Sequence, residues 1–162
     1  MLMLEDEEEN GGDIIKINCD ELDLGSSEIY ASDVYSIVRI QDNELYYLCD
    51  YDTDDNSGTL YCNQEKLDDD VVPAYMYESI PENAGFVYYT DWDDDDLMGT
   101  LNYYDGSECS KIADDVSDYF ICDRNKIAVL MDYSSYSYTG DLKYYNGKKL
   151  IKIASDVNCL VK

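Results

Sequence analysis

Two stretches of this chain carry alternating carboxylates. Asp50-x-Asp52-x-Asp54 and Asp91-x-Asp93-x-Asp95 place an acid at every second position of an acidic loop. Oxygen ligands spaced in this way are what a hard cation such as calcium takes from a loop. Neither stretch has glycine at its sixth position or glutamate at its twelfth, so neither is an EF-hand. Asp50, Asp52, Asp54, Asp91, Asp93 and Asp95 are the candidates for weak calcium binding; the simpler alternative is a solvated acidic loop. No other cofactor is expected. Tyr136 and Tyr138 lie in the loop SSYSYT and are the candidates for ligand contact. Paired carboxylates can also hydrolyse glycosides, yet no feature of the sequence fixes such a pair in a pocket. The absence of histidine removes His-based acid–base chemistry. A serine nucleophile has no Gly-x-Ser-x-Gly elbow to hold it. The chain is expected not to be an enzyme, with an Asp-dependent hydrolase as the remote alternative.

The elements that must carry these loops repeat. Phe86 to Val116 and Ile127 to Val157 follow one pattern: an apolar run, a polar loop, a second run after Gly, a turn, and a third run. Gly99 and Gly140, Leu101 and Leu142, Gly106 and Gly147, Ala113 and Ala154, and Val116 and Val157 are each 41 residues apart. A fixed period in this range marks repeated supersecondary units. Earlier copies are looser. Gly12-Asp13-Ile14 matches Gly140-Asp141-Leu142, and Ala31-Ser32-Asp33-Val34 recurs as Ala154-Ser155-Asp156-Val157. Strands are predicted at 13–18, 28–34, 35–40, 45–51, 58–62, 65–72, 74–79, 86–92, 118–123 and 127–133, with a last one at 158–162. Asn43, Asn83 and Asn125 precede strands, and Asn tolerates the backbone of tight hairpins. Asp105-Gly106 and Asn146-Gly147 are hairpin dipeptides.

No helical periodicity appears. Four antiparallel strands in about 41 residues describe a β-propeller blade. The expected fold is all-β: a propeller or part of one, with about four blades in a single domain over residues 1–162. The units run approximately 1–34, 35–72, 73–116 and 117–157, and 158–162 is a closing or next-blade strand. In the closed version, that last strand would complete the first unit and make a four-bladed ring. In the rival version, the chain is a piece of a larger propeller. A flat β-solenoid of hairpins is the third alternative, although solenoid periods are usually shorter.

The chain has 162 residues, 45% of them hydrophobic, so a core is expected despite the charge. Eleven Lys and Arg face 37 Asp and Glu, for a net charge of −26. Nucleic-acid binding is not expected, because its affinity comes from cations releasing counterions from phosphates. Attraction to anionic membranes is excluded on the same ground, and no stretch is apolar for the roughly 20 residues a span needs. The opening MLMLEDEEEN lacks the basic start of a signal peptide. The six cysteines include no C-x-x-C pair, and with no His a zinc site is not expected. Reduced thiols packed in strands are favoured over a disulfide framework. The 18 tyrosines include adjacent pairs, Tyr46-Tyr47, Tyr88-Tyr89, Tyr103-Tyr104 and Tyr144-Tyr145. In a strand, the rings of each pair point to opposite faces.

Two family patterns resemble this text. Tyr88-Tyr89-Thr90-Asp91-Trp92, followed by the Asp105-Gly106 turn, is similar to the Tyr-Trp-Thr-Asp repeat of lipoprotein-receptor-type propellers. Asp123-Arg124-Asn125-Lys126-Ile127, then Asp132, then Gly140-Asp141-Leu142, resembles the TolB-type propeller repeat. Tyr- and Asp-rich versions occur in surface-exposed proteins of clostridia-like bacteria. The match departs in places: at this repeat position Thr-Asp stands in one unit only, with Cys49-Asp50 and Met131-Asp132 in the others, and Asn125 stands for the TolB-type Gly. The resemblance implies a propeller fold and an extracellular or cell-surface parent, with a cytoplasmic location as the alternative. It implies no catalytic residue. The expected function is a non-catalytic binding module that presents an acidic, Tyr-bearing loop face to a protein, peptide or glycan. The alternative is a structural part of a larger exported propeller, with no ligand of its own.

Overall fold

The computed structural model describes residues 2–8, 11–16, 28–41, 44–73, 78–79, 85–123 and 126–161. The described residues are all-β and antiparallel, with no α-helix. The predicted turns at Asn43, Asn83 and Asn125 and most of the predicted 74–79 strand lie outside the described residues, as does Cys19. The chain divides into two compact units, Met1–Pro73 and Ala74–Lys162.

The first unit holds β1 (Leu2–Glu8), β2 (Gly11–Lys16), β3 (Glu28–Gln41), β4 (Glu44–Asp52), β5 (Ser57–Cys62) and β6 (Glu65–Val71). Each strand pairs antiparallel with the next. The second unit holds β7 (Glu78–Ser79), β8 (Phe86–Asp93), β9 (Met98–Tyr104), β10 (Cys109–Asp123), β11 (Lys126–Ser134), β12 (Thr139–Tyr145) and β13 (Leu150–Val157), paired in the same sequential way. The strand ladder is open. The expected closed four-bladed ring is not formed, and Asn158–Val161, expected as its closing strand, lies outside any strand.

The two predicted strands 28–34 and 35–40 are one strand, β3, and 109–123 is likewise continuous as β10. The reason is a bulge in place of a turn. Asp33 and Asp115 take left-handed backbone at φ 55° and 54°, a conformation that Asp tolerates better than most residues. The next residue pairs on both sides. Val34 lies opposite Gly12 and Cys49, and Val116 opposite Gly99 and Met131. The N-terminal half of each long strand therefore completes one hairpin set, and its C-terminal half begins the next. The same device ends β6 and β13, where Asp70 and Asp156 are left-handed and Val71 and Val157 face Gly58 and Gly140. A bulge of this kind re-aims a strand without breaking its ladder.

Core burial follows from the tyrosine and aliphatic runs. In β4, Leu45 through Cys49 are all buried, and in β8 so are Phe86 through Thr90. Both faces of these strands are thus covered, which is why adjacent tyrosines such as Tyr46-Tyr47 and Tyr88-Tyr89 can both be buried. Ile14, Val34, Leu45, Tyr47 and Cys49 form one cluster of the first unit, with Tyr30, Ala31 and Tyr61 against it. The Tyr47 ring stacks on Tyr61 at 5.5 Å and meets Tyr30 edge-on at 6.4 Å. In the second unit Phe86 packs near Tyr88 and Tyr104, at 5.8 and 5.4 Å.

β6 forms although Asp68, Asp69 and Asp70 crowd its end. Asp69 there pairs with Lys66 at 2.6 Å and accepts from the Thr59 hydroxyl. Asp114 repeats this with Lys111 and Thr100. One period later the carboxylate has moved to the other strand: Asp141 stands where Thr100 does, pairs with Lys152, and has Ser155 in the place of Asp114. In all three, the lysine and hydroxyl partners hold the carboxyl below the usual Asp range. These pairs are exposed, so their worth is register more than stability.

Candidate functional site

The loops expected to hold chemistry are built on a left-handed frame. Asp50, Asp91 and Asp132 close the apolar runs of β4, β8 and β11 at φ 52°, 51° and 53°. Six residues later Asn56, Leu97 and Tyr138 are left-handed again, at φ 52°, 55° and 56°. Each loop thus leaves and re-enters its hairpin through a reversal that most side chains avoid. Of the eleven non-glycine left-handed residues among those described, seven are Asp. Part of the acidity of this chain is therefore a backbone requirement.

Within the frame, one side chain caps each loop. Asp52 Oδ1 accepts from the Asp54 backbone N–H at 2.8 Å. Asp93 Oδ1 accepts from the N–H groups of Asp95 and Asp96 at 2.8 and 3.0 Å. Ser134 takes the role in the last copy, where its hydroxyl lies 3.3 Å from Ser137 N and its carbonyl accepts from Tyr138 N. The six calcium candidates Asp50, Asp52, Asp54, Asp91, Asp93 and Asp95 are all exposed. Among the described residues no three acidic or cysteine side chains converge as a metal site. Capping predicts a graded effect. Asp93→Ala releases two backbone N–H groups and should cost about 1 kcal/mol; Asp52→Ala releases one and should cost about half that. Thermal unfolding of the two variants checks the order.

An aromatic residue follows each of Asp50, Asp91 and Asp132: Tyr51, Trp92 and Tyr133. In the first unit Tyr51 is covered. The ring of Tyr35, the residue after Val34, stacks on it at 3.8 Å and 13°, and the Tyr51 hydroxyl donates to Asn56 Oδ1. In the second unit the residue after Val116 is Ser117, whose hydroxyl donates to the Leu130 carbonyl at 3.2 Å. A serine cannot cover Tyr133 as Tyr35 covers Tyr51. An open cleft of about 300 Å³ lies there, walled by Trp92, Leu97, Leu130 and Tyr133, with Asp118 and Asn158 among its polar lining.

Trp92, Asp118 and Asn158 are each held by a neighbour. Tyr89 meets Trp92 edge-on at 5.1 Å and lies 5.7 Å from Tyr119. The Trp92 indole N–H donates to Asp94 Oδ1 at 2.9 Å. Asp118 Oδ1 accepts from Tyr119 N at 2.8 Å, and Asn158 Nδ2 donates to the Tyr138 carbonyl at 2.9 Å. Tyr136 and Tyr138, the expected contact residues, are 96% and 66% exposed, and Leu97 is 50% exposed. Tyr138 is tied by its carbonyl to Asn158, a residue of the cleft lining. Trp92, Tyr133, Ser117 and Asp118 were not among the sequence candidates; the signal that points to them is the change from Tyr35 to Ser117 at one repeat position.

Cys159 lines the cleft, whereas Cys49 and Cys62 lie outside its lining. Cys49 is buried, donates to the Ser32 carbonyl at 3.4 Å, and has its pKa pushed up to about 12 by burial and then by Asp50 and Asp33. Burial also raises Cys62. A thiol held protonated is a poor nucleophile and a poor metal ligand. Cys49, Cys62, Cys122 and Cys159 are free thiols.

No protein-family model matches the chain, and no curated protein matches it in sequence.

Proposed function

We propose that the chain is a non-catalytic binding module whose units are propeller-type blades, and that it presents an acidic, Tyr-bearing loop face to a protein, peptide or glycan. The observation that carries this reading is the open aromatic cleft at Trp92 and Tyr133, beside a loop with Tyr136 and Tyr138 exposed. Rigid aromatic rings supply contact area at low entropic cost, and clefts of this kind are where ligands settle. The blade reading is supported by the sequential antiparallel hairpins and by long strands that pass from one hairpin set to the next. It agrees with the resemblance to TolB-type and lipoprotein-receptor-type repeats, which also favours an extracellular or cell-surface setting. A larger propeller to which these blades belong is one partner consistent with it.

Trp92 is the single tryptophan, so intrinsic fluorescence reads the cleft directly. Titration with panels of peptides and oligosaccharides should give a saturable change for at least one class. Tyr133→Ala should weaken that response while the melting temperature stays within a few degrees of wild type. A flat response to every class overturns the reading in favour of a purely structural role. Millimolar calcium belongs in the same experiment: a saturable rise in melting temperature, absent with magnesium, would assign the carboxylate loops to a cation.

A further inference from the structure

The geometry points to a guanidinium group as the occupant of the Trp92–Tyr133 cleft, supplied by an arginine-bearing peptide segment of a partner protein. The inference rests on the binding-module reading and names its partner class. Two independent observations carry it. The first is the shape of the slot. At the same repeat position in the first unit, a planar ring lies flat on Tyr51 at 3.8 Å; with Ser117 in place of that ring, Tyr133 lines an open cleft. A planar group therefore fits face-on, and the first unit supplies its own while the second does not.

The second observation is charge. Asp118 lines the cleft, and Asp91 and Asp93 to Asp96 flank Trp92 in the chain. The whole chain carries −26. A neutral ring would satisfy the slot and ignore the carboxylates. An ammonium would satisfy the carboxylates and ignore the planar slot. A guanidinium satisfies both, because it stacks on aromatic faces and offers its edge N–H groups to a carboxylate. The negative field also speeds the encounter with a basic segment.

The test uses the intact chain and Trp92 fluorescence with three pentapeptides, Gly-Gly-X-Gly-Gly, where X is arginine, lysine or citrulline. Citrulline keeps the planar shape and loses the charge. The expected result is saturable binding of the arginine peptide, roughly tenfold tighter than the citrulline peptide, with lysine between them. Binding should weaken with added salt. Asp118→Asn, which keeps the acceptor used by Tyr119 N, should reduce arginine binding and leave citrulline binding unchanged. Ser117→Tyr, if it melts like wild type, should abolish both by plugging the cleft as Tyr35 does. Equal affinity for arginine and citrulline, or no effect of Asp118→Asn, overturns the guanidinium assignment while the binding-module reading stands. No response to these peptides or to any ligand panel overturns both.

Discussion

Tyr88→Ala should destabilise the protein by about 3–5 kcal/mol, and Tyr136→Ala by less than about 0.5 kcal/mol. The two residues are the same type but lie in an apolar run and a polar loop. Tyr88 is fully buried in β8, opposite Asn102 of β9 and 5.8 Å from the Phe86 ring. Truncation there removes a large apolar surface and leaves a void that neighbouring strands, fixed by their ladders, can fill only in part. Tyr136 is 96% exposed and its ring has no fold to support. Urea unfolding followed by far-ultraviolet circular dichroism measures both. A Tyr88 variant within 1 kcal/mol or so of wild type would mean that β8 is not covered on both faces. A large loss at Tyr136 would mean that its ring packs, and the exposed loop face proposed for binding would fall with it.

This contrast also shows what was legible in the sequence. The all-β class and the hairpin order were readable because apolar runs, turn dipeptides and glycines recur 41 residues apart between Phe86 and Val157. Exposure of Tyr136 and Tyr138 was readable because their neighbours are Ser, Thr and Gly, with nothing to bury. The long strands β3 and β10 were not readable. Asp33 and Asp115 look like turn residues, whereas here they hold single left-handed bulges and the ladder continues through Val34 and Val116. The same ambiguity affected the acidic loops. Alternating carboxylates suggest a cation, yet Asp50 and Asp91 occupy left-handed positions and Asp52 and Asp93 cap their own turns. The cleft was hidden for a different reason. It arises from one repeat position that changes from Tyr35 to Ser117, and its importance depends on knowing that Tyr35 lies on Tyr51.

The repeat frame itself makes the second large prediction. Gly58, Gly99 and Gly140 occupy one position in three hairpin sets, each facing a pivot valine. A Cβ added at Gly140 would come 2.6 Å from the Met131 carbonyl oxygen; at Gly58, 2.8 Å from that of Cys49. At Gly99 the nearest atoms are the Trp92 ring at 3.0 Å and the Thr90 carbonyl at 3.1 Å. Backbone carbonyls in a ladder cannot retreat without lengthening hydrogen bonds, and the longer contacts at Gly99 need shifts of only a few tenths of an ångström. None of the three is among the glycines with positive φ, so alanine also gains about 0.4–1 kcal/mol by restricting the unfolded chain. Overpacking costs about 1–3 kcal/mol. The clash should therefore win clearly for Gly140→Ala, at about 2 kcal/mol net, and less for Gly58→Ala, at about 1 kcal/mol. The two terms should nearly cancel for Gly99→Ala. Denaturant midpoints at constant m-value give the order. Equal losses at the three sites would mean that the hairpin sets share no close glycine contact. A loss at Gly99 larger than at Gly140 would mean that Trp92 and the Thr90 carbonyl give way less than the Met131 carbonyl does.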